Sequence, residues 1–161
     1  MRPLIVTCLL LALVCARPVS AGPYEDADAA YARGDYPDAL RIYRELAAQG
    51  NAAAKFNLGV MHDFGQGVQP DPAAAVRWYR DAAAQGHGGA QFNLGGLYFD
   101  GTGVPQDRLR AYMWFTLAAT AGAPGASRNR NSVGRMLTPG ELARAQQMAR
   151  DCQQRSFTGC D

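Results

Sequence analysis

The chain has 161 residues, a formal net charge of +2 and 48% hydrophobic residues, which suits a single domain of ordinary size. Nucleic-acid modules usually carry a stronger basic excess interleaved with aromatic residues, so we predict no nucleic-acid partner. The charge is uneven, since residues 22–107 contain 6 basic and 11 acidic residues and residues 108–161 contain 8 basic and 3 acidic residues. Such an asymmetry either steers a partner or forms an ordinary solvated surface.

The N-terminal stretch, residues 1–21, has the layout of a secretory signal peptide. Arg2 supplies a positive charge, residues 4–14 form an apolar run too short to span a bilayer, and Val19–Ala21 presents small residues at a cleavage site. We therefore expect cleavage after residue 21 and export to the periplasm or the medium, with no membrane span left after cleavage. An uncleaved anchor is the alternative.

Residues 22–50 predict a first pair of helices. Residues 22–28 form a polar lead-in, and a first helix over residues 29–33 ends at Gly34, because glycine is common just beyond helix ends. The second helix carries apolar residues at i, i+3, i+4, i+7 and i+8, which is one stripe of an amphipathic helix. The stripe consists of Ala39, Ile42, Tyr43, Leu46 and Ala47.

Two copies of one pattern follow, over residues 51–86 and 87–122. Phe56–Gly59 recurs as Phe92–Gly95, and the other shared positions are displaced by the same 36 residues. A constant offset without insertions is typical of stacked repeats. The amphipathic stripe recurs as well, first as Ala75, Trp78, Tyr79, Ala82 and Ala83, and then as Ala111, Trp114, Phe115, Ala118 and Ala119.

Glycine recurs inside the first helix of each copy, at Gly59 and Gly95. A glycine in a helix interior costs about 1 kcal/mol relative to alanine. Its return at the same repeat position therefore indicates that a neighbouring helix approaches closely there.

Residues 123–161 break the period and predict capping helices with a disulfide-closed tail. Thr138 and Glu141 form a capping box at the start of the last helix. Cys152 and Cys160 are the two cysteines that remain after signal cleavage, and an even pair in an oxidising compartment predicts a disulfide. A metal or redox pair is the alternative.

These residues resemble the Sel-one-like repeat family, a relative of the tetratricopeptide repeat. The family pattern is met by Ala90, Leu94, Gly95, Tyr98, Gly101–Val104, Asp107, Ala111, Trp114, Phe115, Ala118, Ala119 and Gly122. The copy that begins at Ala54 also matches, with His62 in the place of Tyr98, while residues 22–50 look closer to a plain tetratricopeptide unit. The resemblance implies an all-α fold, a right-handed α-solenoid of antiparallel helix pairs. It also implies a non-catalytic scaffold of the bacterial envelope that binds a protein or peptide without a cofactor.

A secreted hydrolase acting on β-lactams or the cell wall is the alternative function. Some relatives are secreted, cysteine-rich proteins with reported penicillin-binding or β-lactam-hydrolysing activity, but they carry a cysteine pair in each repeat and the two repeats here carry none. His62 matches a packing position, His87 lies in a loop that we expect to face solvent, and Ser127, Ser132 and Ser156 lack a nucleophile motif. We therefore predict no catalytic residue and no metal site.

The partner surface is predicted on the repeats themselves. Equal positions in a stacked array form a ladder along one surface, and Asn57 and Asn93 are such positions. In the tetratricopeptide pattern that these residues resemble, an asparagine before Leu-Gly often contacts a peptide backbone or a terminal carboxylate. The apolar members of the candidate surface are Phe56, Val60, Phe64, Phe92 and Phe99. The alternatives are that the amides bridge helices within the stack and that the apolar residues pack against the next repeat.

Overall fold

The computed structural model describes residues 22–160, and the predicted signal peptide over residues 1–21 lies outside the described residues. Within residues 22–160 the regular structure consists of helices alone. Their bounds are α1 (Pro23–Ala32), α2 (Tyr36–Ala48), α3 (Ala52–Phe64), α4 (Pro72–Ala83), α5 (Gly88–Asp100), α6 (Arg108–Thr120), α7 (Ala126–Gly134) and α8 (Pro139–Gln154).

The helices pack in sequence order. Helix α1 pairs with α2, α3 with α4 and α5 with α6, and each pair also contacts the next through α2 and α3 or through α4 and α5. Helix α6 packs in addition against both α7 and α8. The prediction of an all-α solenoid built from helix pairs is therefore confirmed.

The helix starts follow from polar side chains at the loop ends. Asn51, Asp71 and Asp107 each accept a hydrogen bond from the backbone N–H three residues further on, at the start of α3, α4 and α6. Such a cap satisfies a backbone donor that has no partner within the helix. The predicted capping box of Thr138 and Glu141 is present at the start of α8.

The core contains most members of the three predicted stripes, with Ile42, Trp78 and Ala119 only partly buried. Alanine fills the closest contacts, and larger apolar side chains from both helices of a pair fill the remaining space. The large, fully buried side chains include Tyr43, Leu58, Met61, Tyr79, Leu94, Met113 and Leu117. Each buried leucine contributes about 1.5–3 kcal/mol relative to an exposed one, so the stripes stabilise the stack.

The recurring mid-helix glycines lie where two helices touch. A Cβ added to Gly59 would lie 2.5 Å from ring carbons of Tyr79, and one added to Gly95 would lie 2.7 Å from ring carbons of Phe115. Each glycine thus lets the aromatic ring of the second helix rest directly on the backbone of the first. The close approach that the sequence predicts is confirmed.

One segment differs from its sequence interpretation. Residues 23–28, which the sequence pattern presents as a polar lead-in, are the first turns of α1. Pro23 at the first helical position, with Glu25 and Asp26 in the first turn, favours a helix start because acidic residues there interact well with the helix dipole. Residues 126–134 form α7, a helix within the segment where capping helices are predicted, and Ala126 and Val133 are buried in it.

A disulfide joins Cys152 of α8 to Cys160, with 5.2 Å between their Cα atoms. The chain turns back between them through Ser156 and Phe157, whose φ angles are positive. Both cysteines are buried in the same core cluster as α6, so the bridge fastens the tail to the last helices. Within residues 22–160, no helix has both the length and the apolar character needed to cross a bilayer.

Candidate partner-binding surface

The first helices of successive pairs, α1, α3, α5 and α7, lie side by side and form one surface, here named the first-helix face. Their lines of contact are three junctions in the described part of the chain: the first between α1 and α3, the second between α3 and α5, and the third between α5 and α7. Asn57, Asn93 and Asn129 occupy equal positions on α3, α5 and α7, each 36 residues after the one before. Each junction therefore receives one asparagine from its later helix.

The first junction is filled by a polar network. The Nδ2 of Asn57 donates to the Tyr24 hydroxyl at 3.1 Å and to the Asp28 carboxylate at 3.3 Å. The Tyr43 hydroxyl, which comes from α2, donates to the same carboxylate at 2.5 Å. Burial raises the pKa of the Tyr43 hydroxyl, and the hydrogen bond to the Asp28 carboxylate raises it further. The amide of Asn57 thus bridges two helices, as one of the sequence alternatives states, while its side chain stays partly exposed.

The second junction repeats this arrangement more loosely. The Tyr79 hydroxyl of α4 donates to the Asp63 carboxylate at 3.4 Å, and the Asn93 side chain hydrogen-bonds the same hydroxyl. Burial raises the pKa of the Asp63 carboxyl, and the hydrogen bond from Tyr79 opposes this rise. Among residues 22–160 no cationic side chain pairs with Asp63, so this carboxylate is a charge without a counterion on the first-helix face.

The third junction has no such network. Phe115 stands where the earlier pair has Tyr79, and Phe99 stands where it has Asp63. A cavity of about 180 Å³ opens between α5 and α7 at this point. The cavity, here named the third-junction pocket, is lined by Gly96, Phe99, Asp100, Phe115, Asn129, Ser132 and Val133.

Two of the predicted surface residues pack against other aromatic rings. Phe56 stacks on His87 with 4.6 Å between ring centroids, and Phe92 meets the edge of Phe115 with 5.5 Å between centroids. Both rings are partly buried. The contact of Phe56 agrees with the alternative that apolar residues of the first helices pack against the next repeat, whereas Phe92 meets Phe115 within its own repeat.

The remaining apolar candidates lie in different surroundings. Val60 and Phe99 are partly buried against the core, whereas Phe64 at the end of α3 is 69% exposed. An exposed phenylalanine leaves a large apolar area in water, which is costly unless something covers it. Among the seven predicted residues, Phe64 has the side chain most available to a partner.

The expectation that His87 faces solvent is wrong. Its Nδ1 accepts a hydrogen bond from the backbone N–H of Ala90 at 3.2 Å, so His87 caps α5. Burial lowers its pKa. His87 stands 36 residues after Asn51, the cap of α3, and this register is the signal that reveals its role.

His62 is half-buried, and burial lowers its pKa. Its Nδ1 is buried without a hydrogen-bond partner. Over residues 22–160, no cluster of three or more histidine, cysteine or acidic residues is placed to hold a metal ion.

Sequence reasoning missed several residues of this surface. Tyr24 and Asp28 are polar partners of Asn57 in a segment interpreted as lead-in, and Gly96, Asn129 and Ser132 line the third-junction pocket. For Asn129 the register was a usable signal, since it continues the spacing of Asn57 and Asn93. For Tyr24, Asp28 and Gly96 the sequence offers none, because their roles depend on which helices meet.

Helix pairs stacked in a constant register, with equal side chains recurring along one face, define an α-solenoid repeat protein. The family model of the Sel1 repeat matches residues 52–87 and 89–122. The chain belongs to the Sel1 repeat family, whose members are commonly protein-interaction scaffolds and typically lack enzymatic activity. No protein of curated function matches the sequence significantly.

Two solved structures are similar to this chain. One is a Sel1 repeat protein from Oxalobacter formigenes, with 33% identity, a TM-score of 0.62 and coverage of 68% of this chain and 86% of that protein. The other is a protective antigen of uropathogenic Escherichia coli with an SLR fold, with 30% identity, a TM-score of 0.78 and coverage of 84% of this chain. This chain spans 31% of the length of that antigen.

Proposed function

We propose that this protein is an exported bacterial scaffold or adaptor that binds a protein or peptide partner on its first-helix face, without catalysis, cofactor or nucleic acid. The observation that carries the proposal is the register of this face. It brings Asn57, Asn93 and Asn129 to equal positions on neighbouring helices, beside the exposed ring of Phe64.

Such a face suits an extended polypeptide. Amide side chains both donate and accept hydrogen bonds, which the backbone of a bound segment requires. An exposed aromatic ring adds a large contact area at low cost in side-chain entropy. The Nδ2 of Asn57 already bonds Tyr24 and Asp28. The proposal therefore assigns backbone contacts to the Asn129 amide and to the amide oxygen of Asn57, and one apolar contact to Phe64.

The proposal assigns a place to each part of the chain. Residues 1–21 are the signal peptide, residues 22–50 the first helix pair, residues 51–86 and 87–122 the repeats, and residues 123–161 the cap. The Cys152–Cys160 disulfide supports export, because disulfides persist in the periplasm and outside the cell.

Site-specific crosslinking in the native host tests this function. A photoreactive phenylalanine analogue would replace Phe64 in one variant and Met136 in the control. The control residue is also a large exposed side chain, 49% accessible, but it lies in the loop between α7 and α8. We expect one discrete crosslinked protein from position 64 and none from position 136. Equal products from both positions, or no product from position 64, would contradict the proposal.

The hydrolase hypothesis makes a separate prediction. A serine-acylating enzyme becomes covalently labelled by a fluorescent penicillin, and the label survives denaturing electrophoresis. We expect no labelling of the purified protein, whereas a stoichiometric label would replace the scaffold proposal with the hydrolase.

A further inference from the structure

We propose that the third-junction pocket holds one apolar side chain of an extended basic segment of the partner, and that lysine or arginine residues of this segment pair with Asp100 and Asp63. This inference rests on the proposed function and names the chemistry of the partner. It follows from how the third junction departs from the two before it.

The pocket exists because of changes at equal repeat positions. Gly96 stands where the preceding repeat has Val60, and a Cβ added to Gly96 would meet nothing within 4 Å. Phe99 replaces Asp63, so the wall of the cavity is apolar. Glycine removes a side chain and phenylalanine removes a charge, and together they leave an open space with an apolar lining.

The pocket has the size of one side chain. Its volume is about 180 Å³, and an apolar protein cavity of about 150 Å³ is large enough to bind benzene. Phe99, Phe115 and Val133 supply the apolar walls. A leucine, methionine or phenylalanine side chain fits this volume and chemistry.

A polar group lies beside the apolar lining. Asn129 borders the pocket, and within residues 22–160 its amide makes no side-chain hydrogen bond, unlike that of Asn57 in the first junction. An amide at the rim can bond the backbone on either side of the anchoring residue. This favours an extended segment over a free apolar molecule.

Asp100 is the one charged residue among those that line the pocket, and its charge is negative. Asp100 lines the rim at the C-terminal end of α5, where the helix dipole is also negative. Neither Asp100 nor Asp63 has an ion-pair partner among residues 22–160. A positively charged segment is complementary to this surface, and an acidic one would be repelled.

Asp63 and Asp100 lie on the neighbouring first helices α3 and α5, and the spacing of these helices sets the pattern expected of the segment. Neighbouring packed helices are about 8–10 Å apart, which an extended chain covers in about three residues at about 3.3 Å each. We therefore expect one basic residue next to the apolar anchor, at Asp100, and a second about three residues away, at Asp63.

Binding of synthetic peptides to the purified full-length chain tests the inference. The probe is a fluorescent, acetylated and amidated peptide with a leucine anchor and two lysines at these spacings, and fluorescence anisotropy gives its Kd. One matched peptide replaces the leucine with serine, and another replaces both lysines with glutamate. We expect each change to weaken binding about tenfold or more. Equal affinity for all three peptides, or no binding of the probe, would overturn the inference.

Two protein variants separate the pocket from general effects. Gly96→Val fills the space as Val60 does in the preceding repeat, and Gly140→Val makes the same change in α8, where a new Cβ also meets nothing within 4 Å. We expect about a tenfold loss of probe affinity for the first variant and no change for the second. Asp100→Asn should weaken the probe about two- to fivefold and leave a leucine peptide with alanine in place of both lysines unaffected.

The same variants distinguish this inference from the proposed function. If the partner crosslinked through position 64 still binds Gly96→Val with unchanged affinity, the scaffold function stands and the pocket assignment is wrong. If a second copy of this chain fills the pocket, sedimentation will show a dimer that Gly96→Val dissociates, and that result also overturns the assignment.

Discussion

The second and third junctions have the same backbone register and different contents. The second contains the carboxylate of Asp63 and the amide of Asn93, both of which lie at the hydroxyl of Tyr79. The third keeps only the asparagine, as Asn129, and encloses a cavity. A repeat protein can thus turn a structural contact into a binding pocket through a few side-chain changes, while the buried alanines and the glycine contacts keep the helices in place.

The comparison is sharpened first by the disulfide, which fastens the C-terminal tail to α8, the helix that packs against α6. Replacing Cys152 and Cys160 with serine removes a cross-link between residues that are 8 positions apart in sequence. A cross-link over a loop of this size contributes about 2.5 kcal/mol to the free energy of unfolding. We expect urea unfolding to show this loss. Hydrogen exchange should accelerate in α7 and α8 well before α3, and equal acceleration in α3 would show that the two junctions are not independent.

Adjacent glycines of α5 provide the next test. Gly95→Ala places a Cβ against the Phe115 ring, so we expect a loss of about 1–3 kcal/mol in the free energy of unfolding. Gly96→Ala places one in open space and should gain about 0.5–1 kcal/mol. Denaturant midpoints measure both, and effects of the same sign would contradict the packing described for α5.

The polar network of the second junction can be transplanted into the third. Phe99→Asp and Phe115→Tyr together recreate the Asp63 and Tyr79 pair beside Asn129. Each single change should destabilise the fold, because it removes apolar packing or leaves a polar group without its partner. The double variant should recover about 1 kcal/mol relative to the sum of the two, as measured by a double-mutant cycle. A purely additive result would mean that the two new side chains do not bond each other, and that equal repeat positions are not sufficient to form the network.

The smallest expected effect concerns His87, the cap at the start of α5. Burial lowers the pKa of His87 below its ordinary value of 6.5. The contribution of neutral His87 to the free energy of unfolding is therefore complete above pH 6.5, and it is lost as the pH falls through the lower pKa that His87 has in the folded protein. Protonation also removes the acceptor that caps α5. His87→Asn, which copies the cap at Asn51, should reduce the loss of stability between pH 7 and pH 5 by about 1 kcal/mol or less. Burial also lowers the pKa of His62, so the stability of this variant should keep a residual pH dependence.

The sequence predicts the features that depend on local spacing and on the repeat period. The apolar stripes and the close approach at Gly59 and Gly95 depend on spacing within one repeat, and the capping box at Thr138 depends on spacing within one helix start. All are confirmed. The bridge between Cys152 and Cys160 is likewise present.

What the sequence did not predict depends on contacts between repeats. Asn57 bonds residues of α1 about thirty positions earlier, and the third-junction pocket needs Gly96 and Val133 to meet across two helices. The role of His87 was hidden for a different reason, since a histidine cap is an unusual substitute for the asparagine cap at residue 51.

The most direct test of the account is an NMR titration of the isotopically labelled protein with the leucine–lysine peptide. Binding in the third-junction pocket predicts the largest shift changes at Gly96, Phe99 and Asn129, smaller ones near Asp63, and none along the exposed side of α8. Changes centred on α8, or spread evenly over the chain, would contradict the assignment of the first-helix face as the partner site.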